Sequence, residues 1–146
     1  RNDHAQSGAL LAYSILMRMG MDISDITTIS SAIGNHDEGT GNAVDPVSAA
    51  LILADKSDVR RSRVRESERA TINTDIHDRV NYAVEKSDIY FSEDKKTLIL
   101  DLEIDLDICS IMDYFEIFLG RMMLCKKAAE RLGMQFHLEI NDQRML

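Results

Sequence analysis

Apolar residues recur every three or four positions in the first third of the chain, which is the period of an amphipathic α-helix. The pattern predicts a first helix over 4–19, with Asn2 or Asp3 as its cap and Gly20 after its end. A second helix is expected over 22–34, with isoleucines on its buried face. The chain therefore begins as a helical protein.

A third helix is predicted to start at Asp45 and Pro46, because aspartate caps helix N-termini and proline favours the first helical position. It is expected to run to about Arg63 and to be followed by a polar loop over 63–74. Its expected buried stripe consists of Val47, Ala50, Leu51 and Ala54. Asp55 directly follows that stripe, so we expect its carboxylate to face inward.

The hydrophobic period changes from helical to alternating in the second half of the chain, and alternation is typical of half-buried strands. Leu98, Leu100 and Leu102 alternate with other residues in this way. The predicted elements are a helix over 76–85, strands over 89–91 and 98–104, a long helix over 108–132 capped by Asp107, and a strand over 136–140.

These elements predict an α+β protein with a helical unit over 1–87 and a β-β-α-β unit over 88–146. The long helix over 108–132 is expected to pack on an antiparallel sheet. It is apolar on more than one face, so a second face must meet the helical unit or another subunit. We expect a homodimer formed partly through the C-terminal unit, although packing within one chain accounts for the same residues.

Composition narrows the function classes. The net charge is −8, which excludes a broad nucleic-acid surface. Cys109 and Cys125 form no CxxC pair, which is typical of free core thiols in a reducing compartment. No signal peptide or long apolar run occurs, so we expect a cytoplasmic protein without a membrane partner.

A polar, glycine-containing turn over 35–42 holds the most informative chemistry. It carries His36 and Asp37, while His4 and Asp55 come from separate helices. Because imidazoles and carboxylates bind divalent metals, we predict His4, His36 and Asp55 as metal ligands, with Asp55 and Asp37 as catalytic carboxylates. The alternatives are helix-capping histidines and a surface carboxylate.

Basic residues follow the third helix. Lys56, Arg60 and Arg61 are the candidate substrate-binding residues, because they could neutralise phosphate charge. The alternative is a solvated helix end that answers the helix dipole, and for Arg63 and Arg65 we prefer it.

The chain also resembles a known family through three motifs: His4-x-x-x-Gly8, the turn Asn35-His36-Asp37-Glu38-Gly39-Thr40-Gly41, and Ala54-Asp55-Lys56-x-Asp58 followed by arginines. In order and spacing they resemble the second half of the HD superfamily of metal-dependent phosphohydrolases, over about residues 1–65. The turn is similar to that of the HD-GYP branch, although the Gly-Tyr-Pro signature is missing.

The resemblance implies a helical fold, His4 and His36 as ligands of a two-metal site, and Asp55 as the shared final ligand. It further implies a divalent ion (Mn, Mg, Fe or Zn) and hydrolysis of a phosphorylated small molecule or nucleotide. The family's His-Asp pair should stand just before His4 and is missing there. We expect that this chain is a piece of a longer protein that carries the pair upstream of Arg1. The alternative is a non-catalytic dimerisation or ligand-sensing module on a degenerate HD scaffold.

Overall fold

The computed structural model describes residues 3–64 and 75–145, with the side chain of residue 63 left out. Most of the predicted polar loop therefore lies outside the described residues. Within them the chain forms helices α1 (His4–Arg18), α2 (Ile23–Gly34), α3 (Pro46–Lys56), α4 (Ile76–Ala83) and α5 (Ile111–Arg131), a 3-10 turn (Arg61–Arg63), and strands β1 (Val84–Phe91), β2 (Thr97–Ile104), β3 (Gln135–Ile140) and β4 (Gln143–Arg144). The predicted α+β class is confirmed.

Helices α1 and α2 form a packed pair at the start of the chain. Asp22 caps α2 by accepting a hydrogen bond from the Ser24 backbone N–H. Asp3 precedes α1 but makes no side-chain cap bond, because its backbone adopts a left-handed conformation (φ 63°). A Cβ at Gly8 would lie 3.3 Å from the Ile33 side chain, so α1 and α2 approach closely there.

Helix α3 begins as predicted but exposes a different face from the one expected. Asp45 and Ser48 form a reciprocal capping box at its start. The helix ends at Lys56 rather than near Arg63. Its buried residues are Ser48, Ala49, Ile52, Leu53 and Lys56, whereas Val47 is 47% exposed. The expected stripe is wrong because nearly every position from 47 to 54 is apolar or small, so periodicity could not select the buried side.

Asp55 consequently does not face inward. Its side chain is 42% exposed, and the neighbouring Lys56 side chain is the buried one, at 7%. A rotation of one residue around a helix is about 100°, which is enough to exchange the buried and exposed positions.

Two further element boundaries differ from the prediction. The chain leaves α4 at Ala83 and enters β1 at once, so this strand is longer than expected. Helix α5 starts at Ile111 rather than Ile108, and its cap is Ser110, which forms a capping box with Asp113. A capping box satisfies two backbone N–H groups and therefore outcompetes the expected cap at Asp107.

The sheet has the order β1-β2-β3-β4 and is mixed rather than antiparallel. Strands β1 and β2 form the predicted antiparallel hairpin, and β3 pairs with β4 antiparallel. Strand β2, however, pairs with β3 in parallel. The predicted antiparallel sheet is wrong in this part because α5 crosses over between β2 and β3 and returns the chain to the same end of the sheet.

One hydrophobic core joins the sheet to α5, α4 and α3. The predicted inward alternation of β2 is confirmed, because Leu98, Leu100, Leu102 and Ile104 are all buried. Helix α5 contacts α3 as well as β3, so its own chain covers two of its faces. Packing within the chain thus explains part of the broad apolar surface of α5, whereas Met112, Leu119 and Met123 remain 74%, 49% and 42% exposed.

Both cysteines are free and buried in this core, as the sequence predicts. Burial raises the pKa of Cys109 to about 11 and the pKa of Cys125 to about 12, because it disfavours the charged thiolate.

We therefore expect a thiol reagent at pH 8 to modify both cysteines slowly in the folded protein and rapidly in denaturant. The raised pKa values also make the free energy of unfolding depend on pH. They contribute to stability as long as the thiols of the unfolded chain stay protonated. This contribution to stability is complete below about pH 8.5 and is lost as the pH rises from there towards 12. Rapid labelling of the folded protein at pH 8 would contradict this burial.

In the described parts of the chain, no helix combines the length and apolar character needed to cross a membrane.

Candidate functional site

The turn between α2 and α3 is closed by backbone hydrogen bonds. The Gly41 N–H donates to the Asp37 carbonyl at 2.6 Å, and the Asn42 N–H donates to the Asn35 carbonyl at 3.0 Å. A Cβ at Gly41 would lie 2.2 Å from the Asp37 carbonyl oxygen and 2.6 Å from that of Asn35. Only glycine fits this close backbone approach, so Gly41 sets the shape of the segment that carries His36 and Asp37.

The His36 ring is fixed by the end of α2. Its Nδ1 lies 2.6 Å from the Ile33 carbonyl oxygen, so Nδ1 must carry the proton and donate it. This hydrogen bond leaves the Nε2 lone pair facing outward, toward α1. A histidine whose Nδ1–H donates to a backbone carbonyl is oriented as metal-ligating histidines commonly are.

His4, in the first turn of α1, meets His36 at that nitrogen. The two Nε2 atoms are 3.2 Å apart, and the rings pack edge to face with centroids 5.0 Å apart. The Oδ1 atom of Asp37 lies 3.9 Å from His4 Nδ1, which is too long for a hydrogen bond but close enough for attraction. Residues from α1 and from the turn after α2 thus meet at a single point.

Two arrangements satisfy the 3.2 Å contact between the rings. In the first, His4 Nε2 carries a proton and donates it to His36 Nε2. In the second, both Nε2 lone pairs point at one cation. Two ligands bound at about 2.0–2.1 Å in a tetrahedral site are about 3.3 Å apart, so the observed separation fits two adjacent ligand positions.

Asp55 lies near this histidine pair but bonds to its own neighbour. Its Oδ2 atom is 2.6 Å from Lys56 Nζ. Partial burial alone would raise the pKa of Asp55, but the hydrogen bond and charge of Lys56, with smaller effects of His36 and Arg121, lower it below its ordinary value. The carboxylate is therefore kept ionised beside the imidazoles, which is the form that binds metal.

Glu38 and Arg121 complete the site, and neither was singled out from the sequence. Glu38 Oε1 accepts a hydrogen bond from Arg121 Nε at 2.7 Å and lies 3.8 Å from Lys56 Nζ. The Arg121 guanidinium stacks on the Phe118 ring at 4.6 Å. The signal that could have found Arg121 is its position as a lone arginine in the apolar middle of α5, where a charge needs a partner.

The other predicted substrate-binding residues have partners elsewhere. Arg60 pairs with Asp58 at 2.6 Å. Arg61 donates to the Tyr82 carbonyl, stacks on the Tyr82 ring and pairs with Glu85 at the junction of α4 and β1. Of the three candidates, only Lys56 contacts residues of the histidine site. His77 is exposed in the first turn of α4.

The predicted ligands are thus only partly assembled. The structure brings His4 and His36 into contact and places Asp55 within electrostatic reach of His36. Among residues 3–64 and 75–145, no group of three or more histidine, cysteine, aspartate or glutamate side chains is arranged to hold a metal ion. The chemistry of the imidazole pair fits two ligands of a metal, and a third ligand requires a side-chain movement.

Comparison of the chain with protein-family models, with curated proteins and with solved structures found no match. Any function must therefore be argued from the residues of this chain.

Proposed function

We propose that the protein is a metal-dependent phosphohydrolase of the HD type that acts on a nucleotide or another phosphate ester. The observation that carries the proposal is the histidine pair, with His4 and His36 Nε2 atoms 3.2 Å apart and His36 oriented by Ile33. A polar glycine turn that presents imidazoles and carboxylates together has no evident role in core packing. The three family-like motifs of the sequence meet at this point.

In this proposal, His4 and His36 hold a divalent ion and Asp55 supplies the carboxylate ligand. A bound metal lowers the pKa of a water molecule and polarises a phosphoryl oxygen. Asp37, whose carboxylate lies 3.9 Å from His4 Nδ1, is the candidate proton acceptor. Lys56 keeps Asp55 ionised and provides positive charge for the substrate.

The proposal is tested by titrating metal-stripped protein with Mn²⁺, Zn²⁺ or Mg²⁺ in a calorimeter and by assaying phosphate release from a panel of nucleotides and phosphomonoesters. We expect binding of at least one ion and hydrolysis that a chelator abolishes and the same ion restores. Absence of binding to all three ions would contradict the metal site. Binding without hydrolysis would leave a metal-binding protein and refute the catalytic part.

A second candidate function is a dimerisation or ligand-sensing module formed by the C-terminal unit. The observation that favours it is the edge strand β1, where Tyr90 is 43% and Phe91 60% exposed. Edge strands with exposed aromatic side chains are prone to pair with another chain. In this case the protein would show twice its chain mass by light scattering, and Phe91→Lys would convert it to the single chain.

A further inference from the structure

We propose that Lys56 and Arg121 form a subsite for the anionic phosphate group of the substrate, and that Glu38 occupies this subsite as an internal counter-ion that the phosphate displaces. The inference rests on the proposed phosphohydrolase function and names the residues that recognise the substrate charge. It assigns a binding role to α5, which lies outside the motifs that suggested the function.

Arg121 is held in a fixed position before any ligand arrives. Its guanidinium stacks on Phe118 at 4.6 Å, and its side chain is only 23% exposed. An arginine that an aromatic ring orients loses little side-chain freedom on binding an anion. Its planar group also matches the oxygen atoms of a phosphate.

Lys56 supplies the second positive charge from α3. Its side chain is 7% exposed, and its Nζ atom lies 2.6 Å from Asp55 but 3.8 Å from Glu38. The short contact ties the ammonium to the proposed metal ligand, whereas the long contact leaves its interaction with Glu38 weak. A phosphate oxygen in the place of the Glu38 carboxylate would therefore lie within reach of the Lys56 ammonium.

Glu38 lies within ion-pair distance of both cations, and it is placed to move away. It lies on the turn and its side chain is 34% exposed. Partly exposed ion pairs of this kind contribute little free energy, so a ligand with higher charge can replace the carboxylate. A phosphate dianion carries more negative charge than a carboxylate and offers more acceptor oxygens.

The alternative role of the Glu38–Arg121 pair is a tether that holds the turn against α5. The two roles predict opposite effects for one substitution. If Glu38 is a displaceable counter-ion, its loss frees the subsite and strengthens anion binding. If it is a tether, its loss loosens the turn and weakens every function of the site.

The experiment measures inorganic phosphate binding by calorimetry to metal-stripped protein, so that its outcome does not depend on a metal or on turnover. We expect Glu38→Gln to tighten phosphate binding about fivefold and Arg121→Ala to weaken it about fivefold, the effect of one partly screened charge. Arg121→Lys should retain part of the affinity. Lys127→Ala, which removes an exposed positive charge from the same helix, should leave the affinity unchanged.

Thermal melts of each variant establish that it is folded, and Glu38→Gln preserves the size of the side chain. Weaker or unchanged phosphate binding in Glu38→Gln would overturn the counter-ion role. An equal loss of affinity in Lys127→Ala and Arg121→Ala would overturn the subsite and leave a general charge effect. If the phosphate-binding tests contradict the subsite while metal-dependent hydrolysis persists, the proposed function stands without the subsite. If phosphate binds as expected but no hydrolysis occurs, the subsite stands and the proposed function is refuted.

Discussion

If the proposed function is right, replacing His36 with alanine is expected to abolish the metal-dependent phosphohydrolase activity and to lower metal affinity by more than about 100-fold. The substitution removes the imidazole whose Nε2 faces His4 at 3.2 Å. One nitrogen ligand cannot hold the ion in the position that the pair defines. The stability cost should be only about 1 kcal/mol, since the structural role of His36 is one hydrogen bond to Ile33. Calorimetric metal titration, phosphate-release assays and a thermal melt measure the three quantities.

His77→Ala is the matched control for this experiment. It removes another imidazole, but from an exposed position in the first turn of α4. It should change neither metal affinity nor activity. Equal metal affinity in both variants and in the unaltered protein would show that the contact between His4 and His36 is only a hydrogen bond between rings.

Gly41→Ala is expected to disrupt the same site although it leaves every candidate metal-binding side chain in place. The new Cβ would lie 2.2 Å from the Asp37 carbonyl oxygen, so the turn must open. We expect a loss of about 1–3 kcal/mol of folding free energy, the usual cost of a steric clash in a packed position. Metal affinity should fall with it, because His36 and Asp37 belong to the segment that moves. Denaturant titration and metal titration measure the two effects.

Gly39→Ala is the control in the same turn. There the nearest atom to the added Cβ is Asp37 Oδ2 at 3.5 Å, which is an ordinary contact. This variant should keep its stability within about 0.5 kcal/mol and retain metal binding. Equal destabilisation by the two alanines would mean that the turn is not closed by the backbone approach at Gly41.

The elements that the sequence predicts most accurately are those specified by a pattern within a few neighbouring residues. In strand β2 every second residue from Leu98 to Leu102 is a leucine, and this alternation places the leucines in the core. Asp45 caps α3 as predicted, because caps act within one helical turn. The candidate histidines were found in the same local way, from their positions at the start of α1 and just after α2.

The sequence-based predictions are wrong where contacts between distant parts of the chain determine the structure. The buried face of α3 cannot be predicted from a run of apolar and small residues. The sequence therefore predicts a buried Asp55, whereas the structure buries Lys56 instead. The direction of β3 depends on the crossover of α5. Arg60 and Arg61 suit phosphate binding by residue type, but Tyr82 of α4 and Glu85 of β1 hold Arg61.

For this protein, the sequence by itself determined the helices, the hairpin, the glycine turn and the residue types of the candidate site. These features follow from backbone propensities and hydrophobic periodicity, which act over a few residues. Only the tertiary structure decided that His4 meets His36 and that Arg121 reaches Glu38 across 83 positions of the chain. Such contacts depend on how whole helices pack against one another. They join residues that are far apart in the chain, so no local sequence pattern predicts them.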